Sequence, residues 1–190
     1  MKNLIILLLL LISQPSLAQG NSNTSIFHRL IVYNSDNEIM LVKVKNSEMW
    51  LTPGFYQDSI QFIKEGLHGI ASTYGMKISN PELKGIFSMR REIGETREML
   101  IRNIYHCKHL DGKVHFPENQ PFEIDEIKWL PIEEALSIIP FESTRLFIKQ
   151  THDNPNVVWG GSISAIRENN KWSYKIMEEF YPLFSSKNRK

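Results

Sequence analysis

Three glutamates, Glu92, Glu95 and Glu98, recur every third residue and are interleaved with Arg90, Arg91 and Arg97. Grouped carboxylates are oxygen ligands for a hard divalent cation, and guanidinium forks suit phosphate oxygens. An exposed loop of mixed charge has the same composition, and that plainer reading weighs more because such loops are common. A second constellation is small and neutral. Gly66, Gly69, Ser72 and Thr73 fall at near-helical spacing and share one face. Two glycines within a helix cost about 1 kcal/mol each relative to alanine, so something must approach that face closely. A ligand would do it. A segment of the same protein is the favoured reading, because aromatic residues near the C-terminus (Trp159, Trp172, Tyr174, Phe180) require burial.

The remaining candidates are weaker. Six histidines are dispersed, and His106 and His109 lie three apart on a strand, facing different sides. No histidine–carboxylate set has metal-ligand spacing. Cys107 shares strand parity with Met99, Ile101 and Tyr105 and reads as a buried structural thiol. There is no nucleophile elbow and no phosphate-cradling glycine loop.

The elements that must position these residues belong to one ordinary domain. The chain has 190 residues, 42% hydrophobic and 23% charged, with 22 basic against 21 acidic residues and one cysteine. A net charge of +1 argues against a nucleic-acid-coating protein, and a single cysteine excludes a disulfide framework. Residues 1–18 carry Lys2, an apolar run from Leu4 to Ile12, and small residues at Ser16 and Ala18. That run is shorter than the roughly 20 residues that span a bilayer. It matches an export signal cleaved near Ala18. Lys2 leaves with it, so the remaining chain balances its charges, is periplasmic or secreted, and keeps no membrane attachment.

Residues 19–26 read as a flexible leader. Phe27–Tyr33 and Glu38–Lys45 read as a hairpin around Asn34–Asn37. Asp58 or Ser59 caps a helix running to about Tyr74, with Ile60, Ile63, Leu67, Ile70, Ala71 and Tyr74 on its buried face and Gly75 at its C-cap. Leu83–Met89 and Glu98–Lys108 are strands joined by the charged loop 92–97. Residues 116–123 are irregular. Ile127–Leu130 is a short strand, Pro131 opens a helix to Ile138, and a further helix covers Ser143–Gln150. Ser162–Ile166 and Trp172–Phe180 close the chain as a hairpin. The domain spans 27–151, and 152–190 is an extension packed on it.

Two segments carry a resemblance. Trp50-Leu51-Thr52-Pro53-Gly54 precedes a helix of suitable length, and Trp129-Leu130-Pro131-Ile132-Glu133-Glu134-Ala135-Leu136 reads as a last strand entering a helix. In this order the chain resembles the Nudix hydrolase superfamily from about Phe27 to Gln150. The resemblance implies an α/β (α+β) fold: a mixed β-sheet sandwiched between helices, here with a C-terminal β-hairpin extension. It also implies a loop–helix–loop whose glutamates hold Mg²⁺ for pyrophosphate hydrolysis. Aligned on Gly75 and Met76, that pattern places its adjacent metal glutamates on Ser72 and Thr73, its Arg-Glu pair on His68 and Gly69, and its earlier glutamate on Ile60. Every carboxylate of the box is absent, and Glu65 is the one acid within the helix.

The expectation is therefore a Nudix-like protein that binds rather than hydrolyses, with no cofactor and with an unidentified small molecule or protein as its partner. Its expected ligand-facing residues are Gly54, Tyr56, His68, Gly69, Ser72, Thr73, Arg90 and Arg91. The competing expectation is a divergent hydrolase of a nucleoside-diphosphate-linked substrate, with Mg²⁺ relocated to Glu92, Glu95 and Glu98.

Overall fold

A computed structural model describes residues 23–58, 60–117 and 123–185. The expected signal segment, the first residues of the leader, Ser59 as a cap, and part of the irregular stretch lie outside the described residues.

Ten strands form one mixed sheet: β1 (Asn23–Tyr33), β2 (Ile39–Val44), β3 (Trp50–Leu51), β4 (Gly54–Tyr56), β5 (Lys77–Ile78), β6 (Glu82–Ile93), β7 (Thr96–Asp111), β8 (Ile124–Leu130), β9 (Val157–Glu168) and β10 (Lys171–Ser185). The main order is β10-β9-β6-β7-β1-β2-β3, with β4 on β1, β5 on β7 and β8 on β2. The pairs β1–β7 and β6–β9 are parallel and the others antiparallel. Helix α1 (Ile63–Thr73) covers one face. Helices α2 (Ile132–Ile138) and α3 (Glu142–Asp153) cover the other.

The continuous apolar run of β1 follows from this sandwich, since a strand buried on both faces has no polar side to alternate with. Leu30 and Val32 join Leu67, Ala71, Tyr74 and Met76 under α1. Ile31 joins Phe87, Ile104, Phe147 and Ile148 under α3. Cys107 is buried on the α1 side, and burial pushes its thiol up to about 12, so it is structural as the parity implied.

Several expectations change. β1 begins at Asn23, so residues 23–26 of the expected leader pair with β7. β1 and β2 pair only at Tyr33↔Ile39 and then diverge. β4 takes Phe27, His28 and Arg29 in the middle of β1, and β3 and β8 flank β2. The hairpin turn did form, but the sheet splits just beyond it. Asp58 accepts from the N–H groups of Ile60 and Gln61 in a turn ahead of α1, and the helix starts only at Ile63. Ile60 is therefore 86% exposed instead of buried, and Ile63 is exposed too.

The charged stretch 92–97 is no open loop. β6 and β7 run on to a two-residue turn at Gly94-Glu95, where Gly94 has φ 58°. The segment 152–190 does not sit as an extension on the glycine face of α1. β9 adds to the edge of β6, and Phe180 packs on Phe87 and Phe147. Its turn, Asn169-Asn170, has positive φ at both residues, the geometry that two-residue hairpins select.

Candidate functional site

Helix α1 shows first what its small residues are for. A Cβ on Gly66 would stand 2.3 Å from Cζ of Phe55, so this glycine is a notch for the β4 ring. A Cβ on Gly69 would meet nothing within 4 Å. The element that approaches the helix is thus Phe55, not the C-terminal hairpin, and it covers one glycine only. Gly69 and Ser72 are exposed, and the Thr73 hydroxyl donates back to the Ile70 carbonyl at 2.8 Å. His68 is half-buried on the same helix. Two neutral hydroxyls, one already committed, do not fit Mg²⁺, whose ligand sets rest on carboxylates and phosphates. Among the described residues no group of three His, Cys, Asp or Glu stands together as a metal-binding set.

The glutamates of the β6–β7 hairpin also separate. Strand alternation sends neighbours to opposite faces. Arg91 pairs across the strands with Glu98, its Nε donating to Glu98 Oε2 at 2.7 Å. Glu92 lies on the other face, held by Arg90 at 2.8 Å and Arg97 at 3.8 Å. Glu95 sits exposed in the turn. The three carboxylates do not converge, and two of them are already neutralised by arginine.

The cavity forms elsewhere, where β1 parts from β2. A cleft of about 500 Å³ opens on the α3 face around β1, β7, β6 and β10 and continues past Pro53 and Gly54 to Ile70 and Tyr74 on the inner side of α1. Arg29, Arg91 and Arg102 line it, and among the described residues no acidic one does. Phe27, Tyr56, Phe141, Trp172 and Tyr174 are among its aromatic walls. Of the residues expected to face a ligand, Gly54, Tyr56 and Arg91 line the cleft. His68, Gly69, Ser72, Thr73 and Arg90 do not.

Gly54 is required by packing. A Cβ there would stand 2.6 Å from both the His28 carbonyl oxygen and the Phe27 ring. The same loop fixes Arg29: Pro53 O accepts from Leu30 N at 2.9 Å, and Thr52 Oγ1 accepts from Arg29 Nη1 at 2.7 Å. Arg102 stands on the neighbouring strand in register with Phe27, two residues before Ile104, the partner of Arg29, and its guanidinium is 5.5 Å from the Phe27 ring centroid and 5.7 Å from that of Tyr56. Arg29 stands 5.1 Å from the same Phe27 ring. Burial first, and the neighbouring Arg102 charge second, lower the Arg29 pKa to about 10. Burial likewise lowers Arg102.

Sequence reasoning missed both arginines. The available signal was parity: Arg29 alternates in phase with Ile31, and Arg102 with Leu100 and Ile104, so each is a cation on an inward-facing position.

With this geometry in place, the comparisons decide the architecture. The MutT protein of Bacillus halodurans superposes with a TM-score of 0.60 at 17% identity, over 80% of this chain and 97% of that one. The chain has a Nudix-like fold. A Nudix hydrolase from Nitrosomonas europaea matches at 0.57 and 16% identity, over 75% of this chain and 80% of its own. The MutT protein of Methanosarcina mazei matches at 0.52 and 18%, over 71% and 97%. No protein-family model and no curated protein matches the sequence. At these identities the likeness concerns the Nudix-like scaffold alone.

Proposed function

We propose that this chain is an exported Nudix-like protein that no longer hydrolyses pyrophosphates and acts by binding. The carrying observation is α1. The positions where the resemblance puts metal-binding glutamates hold Ser72, Thr73, Gly69 and Ile60, while the glycine and packing residues that keep the scaffold, Gly54, Leu67 and Gly75, remain. The hydrophobic framework and the chemistry are separable because fold is set by packing and function by the site. In support, two of the three hairpin carboxylates, Glu92 and Glu98, are bound to arginines on opposite sheet faces, and Glu95 stands apart in the turn. The amino-terminal apolar run supports export.

The test is a substrate panel of nucleotide sugars, dinucleotides and nucleoside triphosphates with Mg²⁺ or Mn²⁺. No turnover is expected. Metal-dependent turnover lost in Glu92→Gln or Glu95→Gln would replace this reading with the divergent hydrolase. Export is checked by intact mass: protein recovered outside the cytoplasm should lack residues 1–18, and full-length protein retained in the cytoplasm contradicts it.

A further inference from the structure

We propose that the Arg29–Arg102 cleft binds a small aromatic oxyanion, a carboxylate or a phosphate monoester, directly and without a metal. The inference deepens the binding reading above and rests on it.

The starting point is an imbalance of charge. Arg91 is answered by Glu98. Arg29 and Arg102 have no carboxylate within ion-pair distance among the described residues, and no acidic residue lines their cleft. Arg29 has the Thr52 hydroxyl, a neutral acceptor. Arg102 has the neutral Tyr56 phenol beside it and Glu98 only at longer range, and its Nη1 is buried with no hydrogen-bond partner. A desolvated, unpaired cation is costly, and two of them side by side also repel. Burial lowers the proton affinity of both, with the Arg102 charge adding to the effect at Arg29 and the Arg91 charge at Arg102. Arg29 remains charged near neutral pH, since a pKa of about 10 lies well above it. An oxyanion seated between the two forks takes up free N–H donors and offsets the repulsion.

The remainder of the cleft describes the body of the ligand. Phe27 and Tyr56 meet edge to face at 4.9 Å and carry both guanidiniums on their rings. Trp172 and Tyr174 stack at 6.5 Å on the far wall. Flat apolar walls with a few convergent polar groups favour a flat apolar ligand. A cleft of about 500 Å³ suits one or two rings with a charged substituent. The arginines supply the neutralising charge that a divalent cation would otherwise supply, so the chemistry of the cleft does not depend on the box that α1 lacks.

The experiment is calorimetric titration of the purified chain in EDTA with four probes: phenyl phosphate, phenylacetate, neutral phenylacetamide and inorganic phosphate. Both aromatic anions should bind, and phenylacetamide and inorganic phosphate should each bind at least about tenfold more weakly. Arg29→Gln and Arg102→Gln should each weaken the aromatic anions about tenfold, and Arg90→Gln, on the opposite face, should not. Equal affinity for phenylacetamide overturns the anion site. Equal affinity for inorganic phosphate overturns the aromatic part. Absence of binding by either aromatic anion, or equal weakening by Arg90→Gln, overturns the whole proposal. The probe comparison uses the unaltered protein, so it stands even if a variant misfolds. Because every titration excludes metal, hydrolysis found with Mg²⁺ would refute the function proposed above without deciding this binding test.

Discussion

The outward face of α1 and the arginine cleft show opposite relations between charge and structure. On α1, the residues at the positions of an expected metal site are neutral, Gly69 and Ser72 are exposed, and a Cβ on Gly69 would meet nothing within 4 Å. In the cleft, positive charge persists under conditions that burial makes expensive, with one Arg102 nitrogen left without a partner. A solvated face drifts in composition at little energetic consequence. A pair of half-buried like charges costs stability, so its presence needs a reason. Position in a motif points to α1, whereas the energetics point to the cleft.

That contrast breaks hardest along α1 itself. Leu67 is 2% exposed on the inner side, and Ser72 is exposed on the outer. Leu67→Ala should cost about 3 kcal/mol by denaturant unfolding, through lost transfer energy and the residual cavity. Ser72→Ala should stay within about 0.5 kcal/mol. A large loss at Ser72 would mean that the outer face is packed or liganded after all.

The sheet face that carries the arginines has, away from the cleft, its own pH signature. His106 is buried against Thr151, whose hydroxyl already donates to the helix carbonyls, so His106 Nε2–H donates to Thr151 Oγ1 at 3.1 Å. Burial, then Lys84 and His152, lower the His106 pKa from 6.5 to about 3. Between those values the unfolded chain holds a proton that the folded chain refuses. Stability is therefore lost as pH falls through that window, by at most about 1.4 kcal/mol per pH unit. Unfolding free energies at pH 7 and pH 5 should differ by about 2 kcal/mol from this group. His106→Gln should flatten that slope, and an unchanged slope would remove His106 as its origin.

A smaller effect of opposite sign belongs to Arg102. If its charge awaits an anion, Arg102→Met should leave the ligand-free protein as stable or raise it by about 1 kcal/mol, because repulsion and an unpaired donor disappear while the apolar stem remains. Thermal unfolding without ligand measures this. A loss above about 1 kcal/mol would show that the cation–π contacts with Phe27 and Tyr56 outweigh the repulsion, and that Arg102 serves the fold.

How much of this was legible in the sequence follows from how local each feature is. The strand–helix order, the Pro131 helix start and the absent box carboxylates are written in short-range patterns. The Asn169-Asn170 turn is equally local. The split of β1 from β2 is not, because Phe27, His28 and Arg29 find their partners on β4 and β7, far along the chain. The cleft exists only because of that split. Ile60 misled because its helical phase was right while the turn around Asp58 delays the helix start to Ile63. The hairpin carboxylates misled because sequence proximity hides strand alternation, which places Glu92 and Glu98 on opposite faces.

The gentlest probe of the comparison is Gly69→Glu, which returns a carboxylate to α1. With no atom within 4 Å of its Cβ, the new side chain meets no steric barrier. Replacing a helical glycine by glutamate gains somewhat under about 1 kcal/mol in propensity. Glu65 lies one turn earlier, and like charges at that spacing subtract about 0.2–0.5 kcal/mol. The net is a slight stabilisation of about 0.5 kcal/mol, visible as a small rise in Tm that grows with salt as the Glu65 repulsion is screened. Gly66→Ala, three residues away, should do the reverse, because its Cβ would enter the Phe55 ring that stacks on His28 at 5.0 Å. If both substitutions destabilise alike, α1 has no open face, and the distinction between a bare helix surface and a charged cleft no longer holds.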